Sequence, residues 1–116
     1  MNVGLCEGRH VVKTNEGEEM DYFLFSAPVE HPTHIEIIEK VCRDFITTYL
    51  IGASGGDSHY EDCNLYVTGL TPLLTSFLKC WLEKQERLEM TVGDLVLWHW
   101  DTETEQYIPQ KWAVIT

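Results

Sequence analysis

Residues 64–85, NLYVTGLTPLLTSFLKCWLEKQ, decide the fold, because a strand passes into a helix there within a few residues. The aromatic and apolar side chains of residues 65–67 favour a strand, since such side chains pack well on a pleated surface. Gly69 permits a tight turn and the close approach of a ligand to the backbone. We predict that Thr71 caps the following helix and that Pro72 occupies its first position, where the missing proline N–H costs nothing.

The helix after this turn presents one apolar face, because large apolar residues recur at helical spacing. These residues are Leu74, Phe77, Leu78, Trp81 and Leu82. A strand, a small-residue turn and a helix N-terminus together favour an anion site, since exposed amides and the positive end of the helix dipole point into one crevice. The alternative is a strand–helix unit of an α/β core that binds no ligand.

The composition indicates a folded protein with a single domain, residues 1–116. Its length suffices for one core, and 44% apolar residues with four tryptophans distinguish it from a disordered chain. The net charge of -11 disfavours duplex nucleic acid and anionic membranes, because both are bound through Lys and Arg. Such a charge suits a soluble protein, or one that presents an acidic face to a basic partner.

The localisation expected from the sequence is cytoplasmic. The first residues lack the basic start and apolar run of a signal peptide, and no window approaches the ~20 apolar residues that span a bilayer. Cys6, Cys42, Cys63 and Cys80 are widely spaced and form no CxxC pair, so neither a zinc ribbon nor a thioredoxin motif is present. We therefore expect reduced thiols and no cofactor.

The first third of the chain predicts two strands. Residues 3–12 form a strand with a glycine-containing kink, and residues 22–27 form a short aromatic strand. Glycine within a strand often marks a bulge or a close backbone approach. Arg9 and His10 therefore either reach into a crevice at the end of the first strand or lie on a solvent-facing edge.

A helix follows, opened by a capping box of Thr33 and Glu36 and ending near residue 50. Its apolar face comprises Ile38, Val41, Cys42, Phe45, Ile46 and Tyr49. The glycine-rich residues 52–61 after it lack the lysine and the Gly-Lys-Ser/Thr ending of a phosphate-binding P-loop, so we interpret them as a connection or a mobile flap.

Residues 95–100 and 106–115 predict a C-terminal β-hairpin, whose second strand lies at an edge or is interrupted because Pro109 cannot donate to a ladder. The alternation of strands and helices favours an α/β fold, with a small Rossmann-like sheet of parallel central strands, two main helices and this hairpin. Ligands of such sheets bind beyond the carboxyl ends of the strands. Thr68 and Asp101 both follow strands, so we expect them on the same edge.

Histidines and carboxylates suggest two weak candidates for a metal site. His31 and His34 are three residues apart, and Asp57, His59 and Asp62 lie in and after the glycine-rich connection. Further ligands are not in reach of the histidine pair, so solvated loop histidines explain it better. We expect no metal.

Aromatic and polar residues gather near one end of the hairpin: Trp98, His99, Trp100, Asp101, Tyr107 and Gln110. Aromatic side chains at a crevice can stack on a nucleobase, although in a small domain they more often form the core. Strand alternation sends His99 to the face opposite Trp98 and Trp100. His99 is then either solvated or part of a site.

Residues 64–72, NLYVTGLTP, resemble the ligand loop of CRISPR-associated Rossmann-fold (CARF) domains, where an Asn, a strand and a Thr-Gly-Gly-Thr-Lys-like turn open a helix. That family binds cyclic oligoadenylates across a dimer, and some members cleave them as ring nucleases. The resemblance implies that Thr68, Gly69 and Thr71, with Leu70 between them, hold phosphate or ribose through amides and hydroxyls. Leu70 replaces the second glycine of the family, and Pro72 stands where the family has lysine.

The first functional hypothesis is a small nucleotide-binding protein that binds, degrades or sequesters a cyclic oligonucleotide signal in prokaryotic antiviral defence or counter-defence. Arg9, His10, His99, Asp101 and Tyr107 would join the loop residues in the site. A homodimer would extend that site across a two-fold axis. If the protein is an enzyme, we expect a metal-independent phosphodiesterase with His10 or His99 as general base, since histidine titrates near neutral pH.

The second hypothesis is an acidic interaction protein, similar to an anti-CRISPR inhibitor, that docks on a basic nucleic-acid-binding surface. The charge of -11 supports this class directly, because such a field repels a phosphate. Carboxylates clustered on one face would favour docking. An even spread, with Arg9 and either Lys79 or Lys111 near Thr68, would favour the nucleotide. A third possibility is a structural subunit without a ligand.

Overall fold

A computed structural model describes residues 1–8, 11–26, 33–50, 62–68, 71–88 and 94–112. The elements within these ranges are β1 (Asn2–Glu7), β2 (Tyr22–Ser26), α1 (Ile35–Phe45), β3 (Cys63–Tyr66), α2 (Thr71–Leu88), β4 (Leu95–Asp101) and β5 (Gln106–Trp112). A π-helical turn, Ile46–Leu50, continues α1. The predicted α/β class and the predicted order of strands and helices are confirmed.

The strands form one sheet in the order β2-β1-β3-β4-β5. The first four are parallel, and β5 pairs antiparallel with β4. The parallel central strands and the C-terminal hairpin are therefore as predicted, and β5, which contains Pro109, lies at an edge. The chain divides into two compact units: the sheet unit, comprising Met1–Val29, Cys63–Gly69 and Asp94–Thr116, and the helix unit, comprising Glu30–Asp62 and Leu70–Gly93.

The two faces of the sheet differ in composition because successive side chains point to opposite faces. One face is aliphatic and buried, with Val3, Leu5, Leu24, Leu65, Leu95 and Leu97. The opposite face is aromatic, with Phe23, Tyr66, Trp98, Trp100 and Tyr107. The alternating strand patterns of the sequence produce this separation.

The predicted first strand is too long. β1 ends at Glu7, and residues 11–21 run over the aromatic face outside any strand. A turn interrupts this covering segment at Gly17, whose φ of 86° is readily accessible only to glycine. The Thr14 hydroxyl accepts the Glu18 N–H at 3.0 Å and stabilises that turn. Val12 is buried, but from the covering segment rather than from a strand.

In the helix unit, α1 packs against α2, with the rings of Phe45 and Phe77 6.4 Å apart. The buried residues of the first helical segment are Ile38, Cys42, Phe45 and Ile46. Tyr49, predicted on the same face, is 45% exposed. The change to π-helical geometry after Phe45 explains this difference, because it alters the angular spacing of the following side chains.

Both predicted helix starts require correction. The N-cap of α1 is His34 and no side chain caps this end, so the capping box of Thr33 and Glu36 does not form. α2 begins at Thr71, one residue before the predicted first position. Its buried residues are Leu73, Ser76, Phe77, Cys80 and Trp81, whereas Leu82 is 43% exposed. The centre of the predicted apolar face is therefore rotated by about 100°, the angle between consecutive helical residues, from the centre of the buried face.

Neither helix within the described ranges combines the length and apolar character that a membrane span requires.

Candidate functional site

The carboxyl edge of the sheet has a reversal of strand order between β1 and β3. From β1 the chain continues to β2 on one side, whereas from β3 it continues to β4 on the other. In open α/β sheets ligands bind outside the carboxyl ends of the strands at such a reversal. Thr68, two residues after the end of β3, lies at this position, and Asp101 ends the adjacent parallel strand β4.

The hydroxyl of Thr68 ties the two central strands together. It donates to the Cys6 carbonyl at 2.7 Å and accepts the Cys6 N–H at 3.2 Å. These bonds continue the β1–β3 connection beyond the last paired residues, Gly4 and Tyr66. The donor of this hydroxyl is therefore already in use, and a ligand at this position would have to be held mainly by amides.

Four of the predicted ligand residues, Arg9, His10, Gly69 and Leu70, lie outside the described residues. Thr71 is exposed as the first residue of α2. The metal candidates His31, Asp57 and His59 also lie outside the described residues. Within the described ranges, no group of three or more His, Cys, Asp or Glu side chains is arranged to hold a metal ion.

An aromatic cluster covers the middle of the sheet. Tyr66, Tyr107 and Val12 are buried, with Met20, Phe23 and Trp98 packed against them. The Trp98 ring stacks on Tyr66 at 5.7 Å with 9° between the ring planes, and its Nε1 donates to Asn64 Oδ1 at 3.1 Å. Asn64 in turn donates through Nδ2 to Asn2 Oδ1 at 3.3 Å. Asn64 thus orients Trp98.

Tyr107 belongs to this cluster and is 8% exposed. Asn15 of the covering segment accepts the Tyr107 N–H at 2.8 Å and donates to its carbonyl at 3.0 Å, which joins the segment to β5. Burial raises the pKa of the Tyr107 phenol, and burial together with Glu16 raises the pKa of Tyr66. Both phenols are therefore neutral at physiological pH and are unsuited to act as general bases.

His99 lies on the face opposite Trp98 and Trp100, as predicted from alternation. Its Nε2 forms a hydrogen bond of 2.8 Å with Gln110 Oε1. Tyr107 pairs with Trp100 in the register and shares the aromatic face, so the structure does not bring His99 and Tyr107 into one pocket. His99 and Tyr107 lie on opposite faces of the hairpin.

Asp101 has a structural contact in the hairpin turn. One carboxylate oxygen accepts the Glu103 N–H at 3.1 Å, and the other accepts the Thr104 hydroxyl at 2.8 Å. The turn ends at Glu105, which has a φ of 54°. Asp101 therefore stabilises a turn that contains a sterically disfavoured residue.

An open cleft lies between the covering segment and the hairpin, with a volume of about 530 Å³. This Trp100 cleft is lined by one cationic and one anionic residue among polar and aromatic ones: Val11, Lys13, Thr14, Asn15, Trp100, Glu105, Gln106 and Tyr107. Trp100 is 51% exposed and Val11 is 80% exposed. The sequence placed Tyr107 in a candidate site but not Lys13, because nothing local indicates that residues 11–15 fold back over β4 and β5.

A second cavity of about 250 Å³ lies on the other side of Val11. Its walls include Glu7, Gly8, Glu19 and Phe23. With two carboxylates and apolar walls, it is chemically unsuited to an anionic ligand.

Both units contain ion pairs and also carboxylates that form none with the described residues. In the helix unit Lys79 pairs with Glu39 at 2.7 Å, and Lys40 and Arg43 form further ion pairs within α1. In the sheet unit Lys111 pairs with Asp94 at 3.9 Å, at the amino end of β4 and far from Thr68 along the strand. The carboxylates of Glu16, Glu18, Glu19, Glu103 and Glu105 form no ion pair with any described residue.

Comparisons with protein-family models, with curated proteins and with solved structures found no match to this chain.

Proposed function

We propose that the protein binds a nucleotide, specifically a cyclic oligonucleotide signal of prokaryotic antiviral defence or counter-defence, at the carboxyl edge of its sheet. The observation that carries the proposal is the reversal of strand order between β1 and β3, with Thr68 two residues after the end of β3. This is where α/β sheets bind their ligands. Residues 64–72, whose sequence resembles the ligand loop of CARF domains, include most of β3 and Thr68. The resemblance implies that the ligand is a cyclic oligonucleotide.

The proposed contacts come from the turn and the start of α2. Because the Thr68 hydroxyl is bonded to Cys6, its part in binding would be to hold the turn in place. Amides of Gly69 and Leu70 and the exposed hydroxyl of Thr71 would contact phosphate or ribose. A homodimer would place two such turns on one symmetric ligand.

Thermal denaturation of the full-length protein with cyclic di-, tri- and tetranucleotides tests this proposal. A ligand that binds only the folded state raises the melting temperature in proportion to the logarithm of its concentration. Thr71→Val should reduce that shift because it removes the exposed hydroxyl. Thr75→Val is the matched control, since Thr75 lies one turn along the same helix and bonds only the Thr71 and Pro72 carbonyls. A melting temperature unchanged by every cyclic nucleotide contradicts the proposal.

Cleavage of the ligand is a separate part of the proposal. A metal-independent phosphodiesterase needs a base for the ribose 2′-hydroxyl, and His10 and His99 are the candidates. Incubation of a cyclic tetra-adenylate with the protein and a chelator should yield linear products, and His99→Gln, which can still hydrogen-bond Gln110, should slow their formation if His99 is the base. A ligand that remains intact after long incubation contradicts the proposed cleavage and leaves the proposed binding unaffected. Native mass spectrometry of the same sample counts the subunits.

The second candidate function is docking on a basic nucleic-acid-binding surface. The observation that supports it is that the carboxylates of Glu16, Glu18, Glu19, Glu103 and Glu105 in the sheet unit form no ion pair with any described residue. Competition between this protein and duplex DNA for a Lys/Arg-rich DNA-binding protein tests it. Glu16→Gln with Glu18→Gln should weaken the competition, and Asp44→Asn, which changes a paired carboxylate of α1, is the control.

A further inference from the structure

We propose that the Trp100 cleft is a stacking site for the nucleobase of the ligand, with Lys13 facing its phosphate. This inference rests on the proposed nucleotide binding, which it makes specific by assigning the base to a site separate from the Thr68 turn. The two tryptophans of β4 show why the cleft is suited to this role.

Trp98 and Trp100 share the aromatic face but differ in their partners. Trp98 is stacked on Tyr66 and hydrogen-bonded to Asn64, so both its ring and its N–H are already engaged. Trp100 touches Tyr107 edge-on, with centroids 5.1 Å apart and 68° between the planes, and is 51% exposed. An indole held at its edge and open over much of its surface is a platform on which a planar ring can stack.

The walls of the cleft are held together before any ligand arrives. Both main-chain groups of Tyr107 are bonded to the Asn15 side chain, which fixes the covering segment against β5. Tyr107 is buried, and its ring makes a T-shaped contact with the ring of Trp100. A cleft with fixed walls loses little conformational entropy when a ligand binds.

The size and polarity of the cleft fit a mononucleotide unit. Its volume of about 530 Å³ falls within the range of small-molecule sites. Lys13 and Glu105 both line it, and neither forms an ion pair with any described residue. The ammonium group of Lys13 is therefore available to a phosphate, and it offsets the charge of Glu105 within the cleft. Gln106 adds an exposed amide that can hydrogen-bond the edge of a base.

Trp100, which lines the cleft, and Thr68 lie at the same edge of the sheet. Tyr66 lies opposite Trp98, and the Val67 N–H donates to the Trp98 carbonyl at 2.9 Å. Thr68 follows Tyr66 by two residues, as Trp100 follows Trp98, so both residues lie at the carboxyl edge of the sheet. One oligonucleotide can therefore contact the turn and place a base in the cleft.

Binding of adenosine 5′-monophosphate, adenosine and a cyclic tetra-adenylate to the full-length protein, measured by calorimetry and tryptophan fluorescence, tests the inference. Trp100→Ala should weaken adenosine monophosphate binding about 10- to 100-fold, the range that loss of a stacked base produces. Trp100→Phe should lose less, because it keeps an aromatic face. Lys13→Gln should weaken the monophosphate and leave adenosine unchanged. Lys111→Gln, at the amino end of β4, is its matched control and should change neither.

The outcomes separate this inference from the function on which it rests. If the cyclic tetra-adenylate binds the wild type and Trp100→Ala equally, the cleft is not the base site, and the proposed function stands. If adenosine monophosphate binds and the variants weaken its binding as expected, but no cyclic nucleotide binds, the base site in the cleft is supported and the proposed cyclic ligand is wrong. If no nucleotide binds, both fall. Should Trp100→Ala prove unfolded by circular dichroism, Trp100→Phe and Lys13→Gln decide the question.

Discussion

Thr68 is the residue in which local sequence and tertiary contact disagree most instructively. Its position after a strand predicts a ligand contact, but its hydroxyl is bonded to both main-chain groups of Cys6. The Thr68 hydroxyl therefore has a structural role instead of the predicted ligand contact. We propose that neighbouring amides contact the phosphate and that the Thr68 hydroxyl holds the main chain beside them in place.

We predict that Thr68→Val lowers the free energy of unfolding by about 1–3 kcal/mol, because it leaves a part-buried N–H and carbonyl of Cys6 without their partner. Thr68→Ser should restore most of the loss. Urea denaturation measures both. Thr75→Val is the control, since Thr75 is exposed and its hydroxyl bonds carbonyls of its own helix. Equal losses at both positions would contradict the strand-tying role of Thr68.

The buried thiol of Cys42 leads us to predict that stability falls as the pH rises above 9. Burial, with smaller effects from Cys80 and Glu39, raises the pKa of its thiol from 9.0 to about 12. Between these values the unfolded chain releases a proton that the folded chain retains, so the free energy of unfolding falls as the pH rises, by at most about 1.4 kcal/mol per pH unit for this group. Below pH 9 the contribution is fully present.

Urea denaturation at pH 8, 9 and 10 should therefore show a falling free energy of unfolding. Cys42→Ala should reduce this slope, apart from any constant loss due to the smaller side chain. The remaining slope comes from Cys6 and Cys80, because burial raises the pKa values of their thiols as well. Tyr66 and Tyr107, whose pKa values are also raised, contribute only above their ordinary value of 10.0. An unchanged slope in the variant would show that the Cys42 thiol does not titrate differently in the two states.

At the scale of elements, strands and helices were predictable, whereas their ends and the covering segment were not. Alternation and helical periodicity are local properties, and they identified five strands and two helices in the correct order. Residues 11–21 are extended only in part and are held by contacts with β5 and the aromatic face. No local pattern distinguishes such a segment from the continuation of a strand.

The pairing of β1 with β2 depends on the absence of a side chain at Gly4. Gly4 lies opposite Phe23, and a Cβ at Gly4 would overlap the Phe23 ring. We predict that Gly4→Ala lowers the free energy of unfolding by about 1–3 kcal/mol, the usual cost of overpacking. The measurement is chemical denaturation, with Phe23→Leu in the same chain expected to recover part of the loss.

Gly8→Ala is the matched control for Gly4→Ala. A Cβ at Gly8 meets no atom within 4 Å, so we expect a change within about 0.5 kcal/mol. Comparable losses at Gly4 and Gly8 would mean that backbone conformation, not the Phe23 ring, determines the choice of glycine.

For the whole molecule, net charge separates the two candidate functions. The charge of -11 repels an anionic nucleotide and attracts a basic protein. Raising the ionic strength to physiological levels shortens the screening length to about 8 Å. The association rate of a nucleotide should then rise, whereas the association rate of a basic partner should fall. Stopped-flow fluorescence measures both rates, and adenosine, which is uncharged, is the control.

The sequence by itself determined the fold class, the order of the elements and the side of the hairpin on which His99 lies, and it limited β5 to an edge or an interrupted strand. Each depends on the spacing of residues close together in the chain. Only the tertiary structure decided three features: the order of the strands in the sheet, the greater burial of Trp98 than of Trp100, and the hydrogen-bond partners of the Thr68 hydroxyl. These depend on pairs such as Cys6 with Thr68 and Asn15 with Tyr107, which are 62 and 92 residues apart. Local periodicity carries no information about partners at such separations, because they are selected by packing of the whole sheet.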